Sequence, residues 1–223
     1  MSYQPPPYND AEQMRDRLSE SLDTRDQSTS TDHDFPSHRK LFIQMSGAPG
    51  SGKSSMAKLL ASAIDGIVID HDILRFSFLD ADFSFHQAAK HAYDLQWRLA
   101  EDFIKQGLAH SIIIDSTCNY LEVLNRGSFR AAQHNFTYWY IECTVDDIDL
   151  LDQRLRSRIS MKSQRTGVDC SPASAPSAED SRAIFRKWMD HPCRPNNNII
   201  ILDTTTNLKT LRDEALKQIL KSQ

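Results

Sequence analysis

The residues best able to do chemistry stand together at Gly47-Ala48-Pro49-Gly50-Ser51-Gly52-Lys53-Ser54, which fits G-x-x-x-x-G-K-[ST] in full. Glycines in such a run admit the backbone angles that turn successive N–H groups toward one point. A helix starting at Lys53 adds the partial positive charge of its N-terminus, so the loop suits nucleotide phosphates. Lys53 can reach the β- and γ-phosphates, and the Ser54 hydroxyl suits a magnesium ion. Ser55 belongs to the same nucleotide-binding set. The rival reading is a glycine-rich turn with an exposed lysine. It leaves unexplained the apolar strand pattern before the loop and the helix pattern after it.

Such a loop does not separate phosphoryl transfer to an acceptor from simple hydrolysis. A second apolar run ends in Asp70-His71-Asp72-Ile73-Leu74-Arg75. If the runs are parallel strands, their carboxyl ends share one rim and these carboxylates sit near the γ-phosphate. One carboxylate can hold magnesium through its water shell, while another accepts the proton of an attacking hydroxyl. We assign Asp72 as the base and Asp70 as the metal-side partner. In the rival reading Asp72 only caps the next helix. Arg75 lies one helical turn beyond Asp72, placed to bind an anionic substrate, to hold Asp72 ionised or to form a plain surface salt bridge. His71 is left outside the site. A third run ends in Asp115-Ser116-Thr117-Cys118-Asn119. Asp115 would support magnesium there, with Ser116, Thr117 and Asn119 lining the acceptor pocket. An Asx-type turn in which Asp115 caps the next helix is the alternative.

Arg154, Arg156, Arg158, Lys162 and Arg165 then follow within thirteen positions that hold no acid. Part of this is ordinary helix design, since the acids of that helix fall in its first half. Arginine rather than lysine, however, gives planar paired hydrogen bonds to phosphate oxygens. Arg154 and Arg158 share a face, and the stretch 160–177, with Gly167 and two prolines, reads as a closing lid that carries them over the transferred group, with Arg165 toward the substrate. From position alone, Arg194, Asp203 and Thr204 flank the last strand where a nucleoside would lie. The aromatics Tyr93, Trp97, Phe103 and Trp188 fall at helical spacings and read as core.

Five short apolar runs must position these groups: 41–46, 67–70, 111–115, 137–143 and 198–203. Ile112-Ile113-Ile114 and Ile199-Ile200-Ile201-Leu202 do not alternate with polar residues, the pattern of strands covered on both faces. Helices are expected over 53–64, 84–106, 120–134, 146–158, 178–190 and 207–221. Ser84 with Gln87 forms a capping box, and Gly107 suits the helix end. The alternation predicts a right-handed, doubly wound α/β sheet. Residues 1–38, rich in Ser, Thr, Asp, Gln and Pro, read as a disordered N-terminal tail ahead of a domain over 39–223.

With 223 residues the chain suits one α/β domain plus a tail, and a net charge of -4 gives no support for a general nucleic-acid coat. Its four cysteines are widely spaced with no C-x-x-C pair, so a zinc site or disulfide framework is not expected. The first residues lack the apolar segment of a secretory signal, and no apolar run nears the roughly 20 residues of a membrane span. A cytoplasmic protein with no membrane partner is expected.

Taken in order, GAPGSGKS, IDHDILR, IIIDSTCN and the arginine-bearing segment resemble P-loop kinases of the zeta-toxin, polynucleotide-kinase and gluconate/shikimate-kinase type, over roughly residues 40–221. That group carries an AAA-like P-loop kinase domain. The resemblance implies a three-layer P-loop NTPase fold with a five-stranded parallel sheet in the order 2-3-1-4-5. It also implies Asp72 as base, Asp70 on the magnesium side, Arg75 toward an acceptor phosphate, and lid arginines over the phosphoryl group. The reading is an ATP- and Mg2+-dependent kinase acting on a small-molecule hydroxyl. A polynucleotide 5′-kinase and a nucleotide-dependent switch or adaptor are the alternatives.

Overall fold

The computed structural model describes residues 40–107, 111–172, 175 and 181–222. The tail expected over 1–38 and part of the 171–178 loop lie outside the described residues. Five strands, β1 (Leu41–Ser46), β2 (Gly66–Asp70), β3 (Ser111–Asp115), β4 (Thr137–Thr144) and β5 (Ile199–Asp203), form one sheet in the order β2-β3-β1-β4-β5. Every neighbouring pair is parallel. The expected topology is therefore the observed one, and all five strands end on one rim.

Seven helices are seen among the described residues: α1 (Lys53–Ile64), α2 (His71–Asp80), α3 (Phe85–Gln106), α4 (Leu121–Gln133), α5 (Ile148–Ser157), α6 (Ser181–Asp190) and α7 (Leu208–Lys221). Alternation along β1 divides the layers. Leu41, Ile43 and Met45 point to one face, where Met56 and Leu60 of α1 and Leu211 and Ile219 of α7 cover them. Phe42 points to the other, stacked with Trp97 of α3 at 6.4 Å and edge-on to Phe136. Each such large apolar side chain contributes roughly 1.5–3 kcal/mol on burial, so the central strands anchor the domain. A smaller cluster of Val145, Leu151, Leu155, Val168 and Phe185 joins α5 and α6.

Two expectations need correction. Helix α2 is missing from the helices expected by span, although a helical turn is expected at Asp72–Arg75, because HDILRFSFLD buries only His71 and Leu79 and shows little apolar periodicity. The β5 run is not covered on both faces: it is an edge strand, and Ile201 is half exposed. β1 and β3, by contrast, are buried along their whole length. The capping box at Ser84–Gln87 and the left-handed Gly107 bound α3 as its sequence predicts. No helix among the described residues is long and apolar enough to cross a membrane.

Candidate active site

Strand β1 delivers the chain into the glycine-rich loop, and α1 leaves it at Lys53. Gly47 has φ +126°, and a Cβ there would fall 2.1 Å from the Cys143 carbonyl oxygen, so only glycine fits. Gly52, at φ +88°, is the N-cap of α1 and accepts from Met56 N at 3.0 Å. Ser51 N donates to Ala48 O at 3.1 Å, closing the turn. Thr204, almost fully buried after β5, clamps the loop from outside: its hydroxyl donates to Ser51 O at 2.7 Å. The Lys53 ammonium donates to Ala48 O at 2.9 Å. Burial lowers its pKa, and the Asp115, Cys143 and Asp72 charges oppose that.

Asp70 and Asp115 are register partners at the ends of β2 and β3. Burial raises the Asp115 carboxyl to about 6, against a hydrogen bond from Ser54 that lowers it. Its Oδ2, and the hydroxyl of Ser116, are buried without hydrogen-bond partners. A buried carboxylate oxygen left open beside the Ser54 hydroxyl and the N-terminus of α1 fits a hydrated divalent cation and a phosphate chain. The residues thus fit magnesium and a nucleotide. The rival reading of Asp115 as a helix cap does not hold, since α4 starts after Tyr120 with no side-chain cap.

The capping role falls to Asp70, whose Oδ1 accepts from Asp72 N at 2.9 Å and Ile73 N at 3.4 Å. This corrects the alternative that gave the cap to Asp72, and it ties up one oxygen of the metal-side candidate. Burial, then the Asp72 charge, raises the Asp70 carboxyl. The Asp72 carboxylate is left for the cavity, and its charge acts on Lys53, His71, Arg75, Asp115 and Arg158. Its Oδ2 accepts from Gln164 Nε2 at 3.0 Å.

Around these groups lies a cavity of about 980 Å³. Of the residues singled out from sequence, it brings together Pro49, Gly50, Gly52, Lys53, Ser54, Ser55, Asp70, Asp72, Arg75, Asp115, Ser116, Thr117, Asn119, Arg154, Arg158, Arg165 and Thr204. Gly47, Ala48 and Ser51 shape the loop without lining it. Arg194 and Asp203 do not reach it. Arg194 instead forms a two-pronged pair with buried Glu142, at 2.7 and 2.9 Å, and Asp203 accepts from Thr205 N. A guanidinium finds the nearest carboxylate that burial has left unpaired, and here that carboxylate comes from β4.

The arginines separate by role. Arg154 donates to Thr204 O at 2.9 Å and lies against Gly50 O at 3.5 Å, tying the loop to the segment after β5. Arg156 bridges Asp152 and Asp169 and stays off the cavity. Arg158 donates to Arg165 O at 3.0 Å and faces Asp72. Arg165 lies 5.3 Å over the Trp188 ring. Within the 160–177 stretch expected to act as a lid, residues 160–172 are described, and part of them packs onto the domain. Val168 is fully buried beside Leu151, Leu155 and Phe185, and Ser163 is buried against α2.

Several lining residues escaped sequence reasoning. Trp97 and Phe103 belong to the core as their spacing reads, Trp188 packs against the Leu155–Phe185 cluster while also lining the cavity, and Tyr93 lines the cavity. His71 also lines the cavity. Its ring sits 4.1 Å from that of Tyr93, Nδ1 meets Gln96 Oε1 at 3.2 Å, and burial lowers its pKa to about 4. Arg75 stacks on Phe85 at 3.8 Å with its Nε buried and unpartnered. Neither Phe85 nor Gln164 sits in any motif.

A glycine-rich loop between strand and helix, in a 2-3-1-4-5 parallel sheet with a carboxylate-lined rim, defines a P-loop nucleotide-binding fold. The model of the AAA domain family matches residues 42–175, and the chain belongs to that family. Among solved structures, it is similar to a Chloroflexus aurantiacus protein provisionally assigned as a kinase. They are 20% identical, with 84% of this chain and 100% of that one covered and a TM-score of 0.63. It is also similar to the APS kinase of Mycobacterium tuberculosis, solved with AMPPNP and APS, at 17% identity, 83% and 99% coverage and a TM-score of 0.51. A gluconokinase of Sinorhizobium meliloti aligns at 14% identity, 81% and 92% coverage and a TM-score of 0.53. At these identities the likeness establishes the fold. No curated protein matches the chain.

Proposed function

We propose that the protein is an ATP- and Mg2+-dependent kinase that transfers the γ-phosphoryl group to a hydroxyl of a small acceptor. The observation that carries this reading is the position of Asp72. Its carboxylate faces the cavity, within electrostatic reach of Lys53 and Arg158 and without a helix to cap. In the step we envisage, the acceptor hydroxyl gives its proton to Asp72 as its oxygen bonds to the γ-phosphorus. The bond from that phosphorus to the bridging oxygen breaks, and ADP leaves. Lys53 and Arg158 offset charge on the transferred group, and Arg154, in the cavity wall beside Gly50, steadies the nucleotide. Magnesium, when bound by Ser54 with Asp115 and Asp70 alongside, supplies further charge neutralisation.

The acceptor end of the cavity holds Arg75, Ser116, Thr117, Asn119 and Arg165. Arg75 makes no ion pair among the described residues, and a half-buried guanidinium on an aromatic face favours an acceptor with an anionic group. The polynucleotide alternative has less support. Arg156 and Lys162, two of the five bases in the basic stretch, are neutralised by Asp152, Asp169 and Asp80. We read residues 39–223 as the catalytic domain. The test is incubation with labelled ATP, Mg2+ and a library of anionic hydroxy compounds, with products identified by mass. Asp72→Asn should bind nucleotide as tightly as wild type in calorimetry and lose transfer by at least about 100-fold. Transfer retained by that variant would reject the base assignment.

A further inference from the structure

The segment after α5 does more than cover the cavity. Three side chains in succession fasten it to α2, some ninety positions away in the chain. Lys162 Nζ meets Asp80 Oδ1 at 2.9 Å, Ser163 Oγ donates to Asp72 O at 2.9 Å, and Gln164 Nε2 donates to Asp72 Oδ2 at 3.0 Å. The amide of Gln164 has its orientation set from behind, because its Oε1 accepts from Met161 N at 3.2 Å. With that oxygen occupied, only the NH2 group can face Asp72, so the contact is a donor to a carboxylate and not a flipped amide. Met161 O in turn accepts from Gln164 N at 2.9 Å, which makes the turn rigid.

We propose that Gln164 is a positioning residue for the phosphoryl transfer: it holds Oδ2 of Asp72 so that Oδ1 is presented to the acceptor hydroxyl. A carboxylate on a helix N-terminus can turn about its side-chain bonds, and proton transfer requires one oxygen at hydrogen-bond range of the acceptor. Neighbouring cations alone do not select an oxygen, since Lys53, Arg75 and Arg158 act on the carboxylate as charges. The neutral amide, pinned at both ends, does select one. The inference rests on the reading of Asp72 as the base.

The test uses the full chain and Mg-ATP hydrolysis, with water standing in for the acceptor. Gln164→Met keeps length and volume and removes the donor. It should lower kcat about tenfold while nucleotide affinity stays within about twofold. Lys162→Ala, which breaks only the exposed ion pair to Asp80, should turn over as wild type. The Asp72→Asn/Gln164→Met double variant should be no slower than Asp72→Asn alone, because Gln164 acts through that carboxylate. Multiplying losses in the double variant, or a Gln164→Met rate equal to wild type beside a slow Asp72→Asn, overturns the positioning role and leaves the base reading intact. An Asp72→Asn rate equal to wild type overturns the base reading itself. A measurement free of turnover runs in parallel on 15N-labelled protein. The Gln164 side-chain amide proton, assigned by its loss in Gln164→Met, should lie downfield and move upfield in Asp72→Ala. An unmoved resonance overturns the proposal.

Discussion

Thr204→Val isolates what holds the phosphate loop in shape. The hydroxyl of this buried residue donates to Ser51 O at 2.7 Å, has Thr144 O at 3.2 Å, and receives a long contact from Arg154 Nη1 at 3.4 Å. Valine keeps the shape of the side chain, and its added methyl replaces only the hydroxyl. The loss is one buried hydrogen bond, with Ser51 O deprived of this donor, or about 2 kcal/mol. For a domain of this size that corresponds to a fall of roughly 4–8 °C in Tm. The cost should also appear in binding. If the nucleotide must restore loop order worth about 1 kcal/mol, its affinity falls roughly fivefold. Thermal melts with and without Mg-ATP, together with calorimetry, measure both effects. Thr206→Val is the control, because its exposed hydroxyl donates only to Asp203 O at 3.2 Å. That change should stay within about 0.5 kcal/mol of wild type. A Thr204→Val protein that melts and binds like Thr206→Val would refute the clamp.

Two further predictions concern residues that the structure reassigns. Arg194→Leu leaves Glu142 buried and unpaired, and should destabilise by about 1–3 kcal/mol, less than a fully buried pair because Arg194 is 41% exposed. Nucleotide affinity should not change, and Glu142→Leu added to it should restore stability; an affinity loss without a stability loss would return Arg194 to the nucleotide site. His71 concerns pH. Burial holds it neutral down to about 4, whereas an unfolded histidine protonates near 6.5. Between those values the unfolded chain binds the extra proton, so stability from this group falls as pH drops from about 6.5 toward 4. Asp115, raised to about 6, acts in the opposite sense over most of the same window. The readout is therefore the difference in denaturant-measured stability between wild type and His71→Phe, which should shrink steadily on acidification across that range. A pH-independent difference would show that the imidazole is not held neutral.

Much of the fold was legible because it is written in local signals. The five apolar runs are bounded within a residue or two of the observed strands, and for β1 and β3 cover on both faces leaves no polar alternation to blur the ends. The meeting of Asp70 with Asp115 followed from parallel topology alone, which brings strand ends to one rim. The extent of helix α2 was not legible, because it packs few apolar residues and its start is fixed by a cap only two residues from the Asp72 carboxylate it presents. The cavity-lining part of Tyr93 and Trp188 was hidden for a related reason. Helical spacing shows that a face is covered, but not whether the sheet or a cavity covers it.

Residue order alone determined the phosphate loop. Its conformation depends on glycines at positive φ and on a strand and helix within a few residues on either side, so no distant contact is needed to specify it. Only the tertiary structure decided how the arginines and carboxylates were shared out. Arg194 went to Glu142, Arg156 to Asp152 and Asp169, and Asp72 received Gln164 across 92 positions. A charge takes the partner that burial brings closest, and that partner is set by how the layers pack rather than by spacing along the chain.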